Sequence, residues 1–243
     1  MLLVHGWGGH AARLAQFVEP LCASGFSVVS FDAPAHGASD GVFASLPEFA
    51  AAVRAVAAEY GPLAGLVAHS LGGAASVLAM RDGLAVPRAV LLAPPDDPER
   101  YSALFASFLR VPDGVKDAMK ARLLSRYGLS WDDVRVSACA RNLSCRALVV
   151  HDRGDLRVPL RDGMAVAAAW PGAELLVTRG FGHHKILRHP DVVLRTVRFL
   201  GGRAVPCVPI AAPEPLRRPS APLVTIRGDA EHTTSRPGTQ HVW

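Results

Sequence analysis

The stretch Ala68-His69-Ser70-Leu71-Gly72 constrains the fold of this chain more than any other. An apolar run, Leu63 to Ala68, leads into it, and a segment of small residues, Gly72 to Ala79, leads out. The first reads as a buried strand and the second as a helix. A serine at their junction, with Ala68 two positions before it and Gly72 two after, suits a tight strand-to-helix turn that admits only small neighbours. In such a turn the serine oxygen stands free above the sheet and the amide of Leu71 faces the same space. The positive end of the following helix favours negative charge developing there. The pentapeptide alone leaves a second reading open, a serine that merely caps an ordinary helix.

A nucleophilic serine needs a histidine base and an acid to orient it. Ala147 to His151 reads as a further buried strand and runs into Asp152-Arg-Gly-Asp155-Leu-Arg-Val-Pro159. Glu174 to Thr178 reads as another, followed by Arg179-Gly-Phe-Gly-His183-His184. Ser70, Asp155 and His183 therefore follow one another in the order nucleophile, acid, base, each just past a strand. Asp152 competes with Asp155 for the acid position, and His184 with His183 for the base.

Between these points strands and helices alternate. Strands are expected at Leu2 to His5, Ser27 to Phe31, Leu63 to Ala68, Ala89 to Ala93, Ala147 to His151 and Glu174 to Thr178. Helices are expected at Ala11 to Ser24, Glu48 to Tyr60 behind Leu46-Pro47, Leu71 to Arg81, Leu160 to Trp170 and Asp191 to Leu200. The alternation predicts an α/β fold, a doubly wound, mostly parallel sheet. The pattern is interrupted between Pro94 and Arg146, where Tyr101 to Leu109 and Val115 to Tyr127 read as amphipathic helices and Trp131 to Cys139 holds room for one more.

Five motifs in register carry a resemblance to a known family: His5-Gly6-Trp7-Gly8-Gly9, Asp32-Ala-Pro-Ala-His36-Gly37-Ala-Ser39, the serine turn, the acid loop ending Val158-Pro159, and Gly182-His183. Over about Met1 to Leu200 the chain resembles the α/β-hydrolase fold superfamily. The resemblance implies a serine hydrolase, of esterase type, acting on a small-molecule acyl substrate through an acyl-enzyme, with no metal and no organic cofactor. It favours Asp155 over Asp152 by its spacing to Val158, and His183 over His184 by the Gly182-His183 register. It makes the amide of Trp7 the second oxyanion donor beside that of Leu71, and residues 94–146 a helical cap. His36 and Asp32 are expected to brace the loop below the site, and His69 to point away along the turn as a packed histidine. The chain departs from the usual pattern at Ala35 and Ala68, where glycine is common. It also begins inside the strand that carries His5, so the usual first strands are missing. If that start is genuine, the sheet is expected to have an unusual edge at Leu2 to His5, an apolar run that invites self-association. A member of the fold that binds ligand without turnover is the alternative function.

Composition narrows the remaining classes. Half of the 243 residues are hydrophobic, enough for a sizeable core. The net charge of +5 comes from scattered arginines, without the basic stripe and interleaved aromatics of a nucleic-acid surface, so no nucleic-acid partner is expected. No apolar run approaches membrane-spanning length and no apolar leader precedes Met1-Leu-Leu-Val, so a cytoplasmic protein is expected. Cys22 is expected in the core, and a local disulfide between Cys139 and Cys145 is weighed and set aside. From Gly201 onward prolines crowd the sequence and hydrophobic periodicity is lost, so 201–243 is expected to be a disordered tail.

Overall fold

The structure, a computed structural model, describes residues 1–110 and 112–202. Apart from its first two residues, the expected tail lies outside the described residues. Six strands form one sheet: β1 (Leu2–Val4), β2 (Val29–Phe31), β3 (Leu66–His69), β4 (Arg88–Leu92), β5 (Arg146–Asp152) and β6 (Glu174–Thr178). Their spatial order is β2-β1-β3-β4-β5-β6, and every neighbouring pair is parallel.

Both faces of the sheet are covered, which is why its strands read as continuous apolar runs and not as alternating ones. Leu2, Val4, Leu66, Ala68, Ala89, Leu91, Ala147 and Val149 look to one face. There they meet α2 (Leu46–Tyr60), α3 (Leu71–Arg81), α6 (Val136–Ala140) and α7 (Leu160–Ala169). Leu3, Val67, Val90, Leu92, Leu148 and Val150 look to the other, against a 3-10 segment (Ala11–Phe17), α1 (Val18–Ala23) and α9 (Pro190–Leu200). Full burial of one Leu or Phe in such layers contributes about 1.5–3 kcal/mol.

The strand order fixes where a site can form. From β1 the chain turns one way to β2, and from β3 it turns the other way to β4. Side-by-side strands whose connections diverge leave a crevice beyond their C-terminal ends. That crevice lies between the loop after β1, carrying Gly6 and Trp7, and the turn after β3, carrying Ser70.

Several expectations are corrected. The Leu2 to His5 strand is not an edge, because β2 pairs on its outer side and β3 on its inner. On that side the edge is β2, only three residues long and partly exposed. The helix expected from Ala11 is 3-10 as far as Phe17 and becomes α-helical only at Val18. Pro20 supplies the reason. It has no N–H to give to residue 16 and its ring crowds that carbonyl, so an α-helix can contain it only within a first turn. Cys22 is exposed, and Cys139 and Cys145 are free thiols. Of the periodic apolar residues Val192, Leu194, Val197 and Leu200 that the sequence offers for packing on α9, Leu194 faces solvent, and Val193, Thr196 and Phe199 are buried in addition.

Between β4 and β5 the chain forms α4 (Pro98–Phe108), α5 (Asp113–Tyr127), a 3-10 turn (Asp132–Val134) and α6. The expected insertion is of two kinds. Helix α6 buries Val136, Cys139 and Ala140 in the core. Helices α4 and α5 are tied down by polar groups at two points. Arg100 grips Asp162 with contacts of 2.9 and 2.8 Å, and the Tyr101 hydroxyl donates to Asp162 at 2.7 Å. At the far end, the Tyr127 hydroxyl donates to Glu48 at 2.9 Å and Arg126 lies 3.3 Å from the same carboxylate. Asp162 and Glu48 stand in the first turns of α7 and α2, so both anchors lie at the C-terminal edge of the sheet. Glu48 also completes a capping box with Ser45, which fixes where α2 starts.

Candidate active site

Ser70 has φ 51° and ψ −124°. An ordinary N-cap sits in the extended region and turns its side-chain oxygen onto the helix amides. Ser70 does neither, and makes no side-chain capping bond, so the capping reading is excluded. A non-glycine residue held at such angles stores about 1–3 kcal/mol of strain. The glycines around it make the turn possible. A Cβ on Gly72 would overlap the carbonyl oxygen of His5 and come within 2.8 Å of that of Val4, so the start of α3 lies directly on β1. A Cβ on Gly6 would come within 2.9 Å of Ser70 Cβ. Ala68, fully buried, is tolerated where glycine is common, and Ala35 takes a positive φ of 58°.

The structure brings Ser70, His183 and Asp155 together. His183 Nε2 is 3.0 Å from Ser70 Oγ, and its Nδ1 is 2.7 Å from Asp155 Oδ2. The carboxylate can only accept, so Nδ1 carries the proton, Nε2 is the free acceptor, and the serine hydroxyl donates to it. The other oxygen of Asp155 accepts from the amides of Arg157 and Val158 at 2.8 and 2.9 Å. His184 is exposed and bonds to neither Ser70 nor Asp155, though its ring centroid lies 5.1 Å from that of His183.

Asp152 is placed differently. It ends β5, fully buried, and accepts from the Gly154 amide, the Thr178 hydroxyl and the Phe181 amide at 2.9, 2.8 and 3.1 Å. It thereby joins the loop after β5 to the loop after β6.

Both carboxyls lie below the ordinary carboxylate range. Burial pulls Asp155 upward, but the hydrogen bond from His183 and the amides of Val158 and Arg157 outweigh it. Burial likewise pulls Asp152 upward and is outweighed by the Phe181 amide, the Thr178 hydroxyl and the amides of Gly182 and Gly154. With folded values below unfolded ones, the unfolded chain binds more protons in acid, so stability rises with pH there. The contribution is complete above the unfolded carboxylate pKa of about 3.9 and is lost as pH falls through the folded values. Melting curves are therefore expected to show Tm dropping below about pH 4, and dropping less steeply in Asp152→Asn. Equal slopes in the two proteins would contradict the assignment.

Leu71 directly follows the serine, Gly6 before Trp7 lies against it, and among the described residues no backbone hydrogen bond runs from the amide of Trp7 or of Leu71. The Trp7 loop is framed from below. The Gly8 amide donates to His36 Nε2 at 3.0 Å, while His36 Nδ1 donates to the Pro34 carbonyl at 2.9 Å. Asp32 accepts from the amides of Ala11 and Ala38 at 2.6 and 2.8 Å. His36 and Asp32 thus brace the loops below the site.

The contacts of three histidines were not legible in the sequence. His5 accepts from the Ala33 amide at 2.9 Å and donates to the Gly6 carbonyl at 2.8 Å, sewing β1 to the loop after β2. His151, fully buried beneath the acid loop, donates to the Val158 carbonyl at 2.8 Å, and Gly163 leaves space for its ring. His69 does not point away from the site. Its ring centroid is 4.7 Å from that of His183, and its Nε2 donates to the His183 carbonyl at 3.0 Å. In each case the only local signal was a histidine at a strand end.

Trp7 is 58 % exposed, and Leu156, next to Asp155, is 99 % exposed, so apolar side chains stand on the rim. A cleft of about 590 Å³ lies elsewhere, at the N-terminal edge of the sheet among Leu63, Met80, Val86 and Cys145. Among the described residues no cluster of three or more His, Cys, Asp or Glu side chains is disposed to hold a metal ion, and no helix is long and apolar enough to cross a membrane.

A parallel doubly wound sheet with a strained serine at its switch point and a His–Asp pair on the neighbouring loops is the arrangement of an α/β-hydrolase fold. The chain belongs to the alpha/beta hydrolase family, which it matches over residues 1–240. Similar solved structures include a monoacylglycerol lipase from Paleococcus ferrophilus, 23% identical with a TM-score of 0.65 over 84% of this chain and 94% of that one. Others are a putative non-heme bromoperoxidase from Mycobacterium tuberculosis H37Rv (20%, TM-score 0.63, 83% and 91%) and an esterase from Rhodococcus sp. ECU1013 (21%, TM-score 0.61, 84% and 90%). At these identities the likeness is one of fold. No functionally curated protein matches the chain.

Proposed function

We propose that the protein is a serine hydrolase that cleaves an ester, thioester or similar acyl bond of a small molecule. The observation that carries the reading is the continuous chain from Ser70 Oγ through the His183 imidazole to Asp155, at 3.0 and 2.7 Å, on a serine freed from helix capping. Ser70 Oγ attacks the carbonyl carbon as His183 Nε2 takes its proton. Asp155 holds the ring and stabilises its cation. The amides of Trp7 and Leu71 receive the oxyanion at the positive end of α3. As the tetrahedral intermediate collapses, His183 gives the proton to the leaving group. Water then attacks the acyl-enzyme, losing its proton to His183, and Ser70 is released with its proton restored.

The site opens among exposed apolar side chains. In and just after α4, Leu104 and Leu109 are exposed, and the side chains of Phe105 and Phe108 lie outside the described ones. A fluorophosphonate probe is expected to label one site, which peptide mapping assigns to Ser70, and p-nitrophenyl esters of graded chain length are expected to be hydrolysed. Protein that takes up no probe and turns over none of the esters would overturn the reading.

A further inference from the structure

The base of the proposed triad rests on a weak support. His183 lies in α8 (Gly182–Lys185), a helix of four residues, far too short to hold itself together. Its side chain is gripped by Asp155, and the amide of Phe181 before it by Asp152. What fixes the main chain of His183 itself is the residue beside the nucleophile. A carbonyl oxygen only accepts, so the proton of His69 sits on Nε2 and is donated to the His183 carbonyl at 3.0 Å, with both residues buried. The opposite side of the same ring abuts the oxyanion loop, where a Cβ on Gly6 would come within 3.1 Å of His69 Nδ1.

We propose that His69 is a positioning residue, one that sets the distance between base and nucleophile by tying the backbone of His183 to the residue adjoining Ser70. The inference rests on the hydrolase reading above. Because His69 and Ser70 are consecutive, a shift of the His183 main chain relative to the serine must strain this bond, while Asp155 holds the ring's own torsions. Reacting groups displaced by about 1 Å lose on the order of a hundredfold in rate. The ring does this work uncharged. Burial and the neighbouring His183 push its pKa down to about 3, so it sets no positive charge against the imidazolium that forms 4.7 Å away.

The amide nitrogen of Gln reaches about as far as His Nε2, whereas that of Asn reaches only as far as Nδ1. His69→Gln therefore keeps a donor for the His183 carbonyl, and His69→Asn and His69→Leu do not. Active sites in each preparation are counted by fluorophosphonate labelling, so misfolded protein drops out of the rate. Per titrated site, kcat is expected to fall by about 10–100-fold in the Asn and Leu variants, with KM within about threefold of the parent, and to be largely restored in the Gln variant. If the Leu variant does not fold, the comparison of Gln with Asn decides alone. Parental kcat per site in the Asn variant, or a Gln variant as slow as Asn, would overturn the inference while leaving the hydrolase reading intact. Ester turnover that survives Ser70→Ala would overturn the hydrolase reading instead.

Discussion

Ser70→Ala is expected to lower ester hydrolysis by at least about three orders of magnitude, some 4 kcal/mol of barrier, and to abolish probe labelling. The residual rate measures what the oxyanion donors achieve without a nucleophile. Folding should not suffer. The serine oxygen caps no helix, so its removal leaves no amide unsatisfied, and its partner His183 keeps its bond to Asp155. Alanine must still adopt φ 51°, but it is smaller than serine and meets the same glycine-lined space. The decisive measurement is turnover in the purified variant at unchanged Tm. A rate within tenfold of the parent would remove Ser70 from the chemistry.

The second large effect separates two carboxylates three residues apart. Asp155→Asn is expected to cost about 10²–10⁴-fold in kcat, because the amide neither stabilises the imidazolium nor enforces the tautomer that frees Nε2. Asp152→Asn is expected to change kcat by less than about tenfold and to act mainly on stability. Its carboxylate faces the Thr178 hydroxyl and the Phe181 amide, both donors, and an amide nitrogen in that place would leave a buried bond unmade at about 1–3 kcal/mol. Parallel melting curves and kinetics on the two variants give the test. The reverse pattern, with Asp152→Asn the more inactivating, would move the acid to the end of β5.

The parts of this arrangement that were legible in the sequence are those written in local chemistry. The serine turn could be read because small residues are needed within two positions of Ser70, and the structure shows why at Gly72, where the backbone of β1 leaves no room for a side chain. The strands could be read because burial on both faces makes them continuous apolar runs. Their ends were less legible. Asp152 closes β5 and does not open a loop, and His183 stands on a turn of helix, since hydrogen bonds to neighbouring strands and loops decide such boundaries. The histidine contacts were hidden for a simpler reason. His69 meets a carbonyl 114 residues away, and His36 an amide 28 residues away, and no spacing rule reaches across a crossover connection. The edge of the sheet was misjudged because pairing order is a property of the whole topology, and nothing local to Leu2–Val4 says that β2 will lie outside it.

The manner in which α4 and α5 are attached has a consequence for redesign. Their two anchors, Arg100 and Tyr101 on Asp162, and Arg126 and Tyr127 on Glu48, are side-chain clusters that share no atom with Ser70, His183 or Asp155. The helix pair is in that sense a replaceable part. Exchange of its exposed positions, such as Leu104, Met119 and Leu124, is expected to leave Tm nearly unchanged. Redesign of this outer surface would begin between residues 102 and 125 and leave the sheet alone.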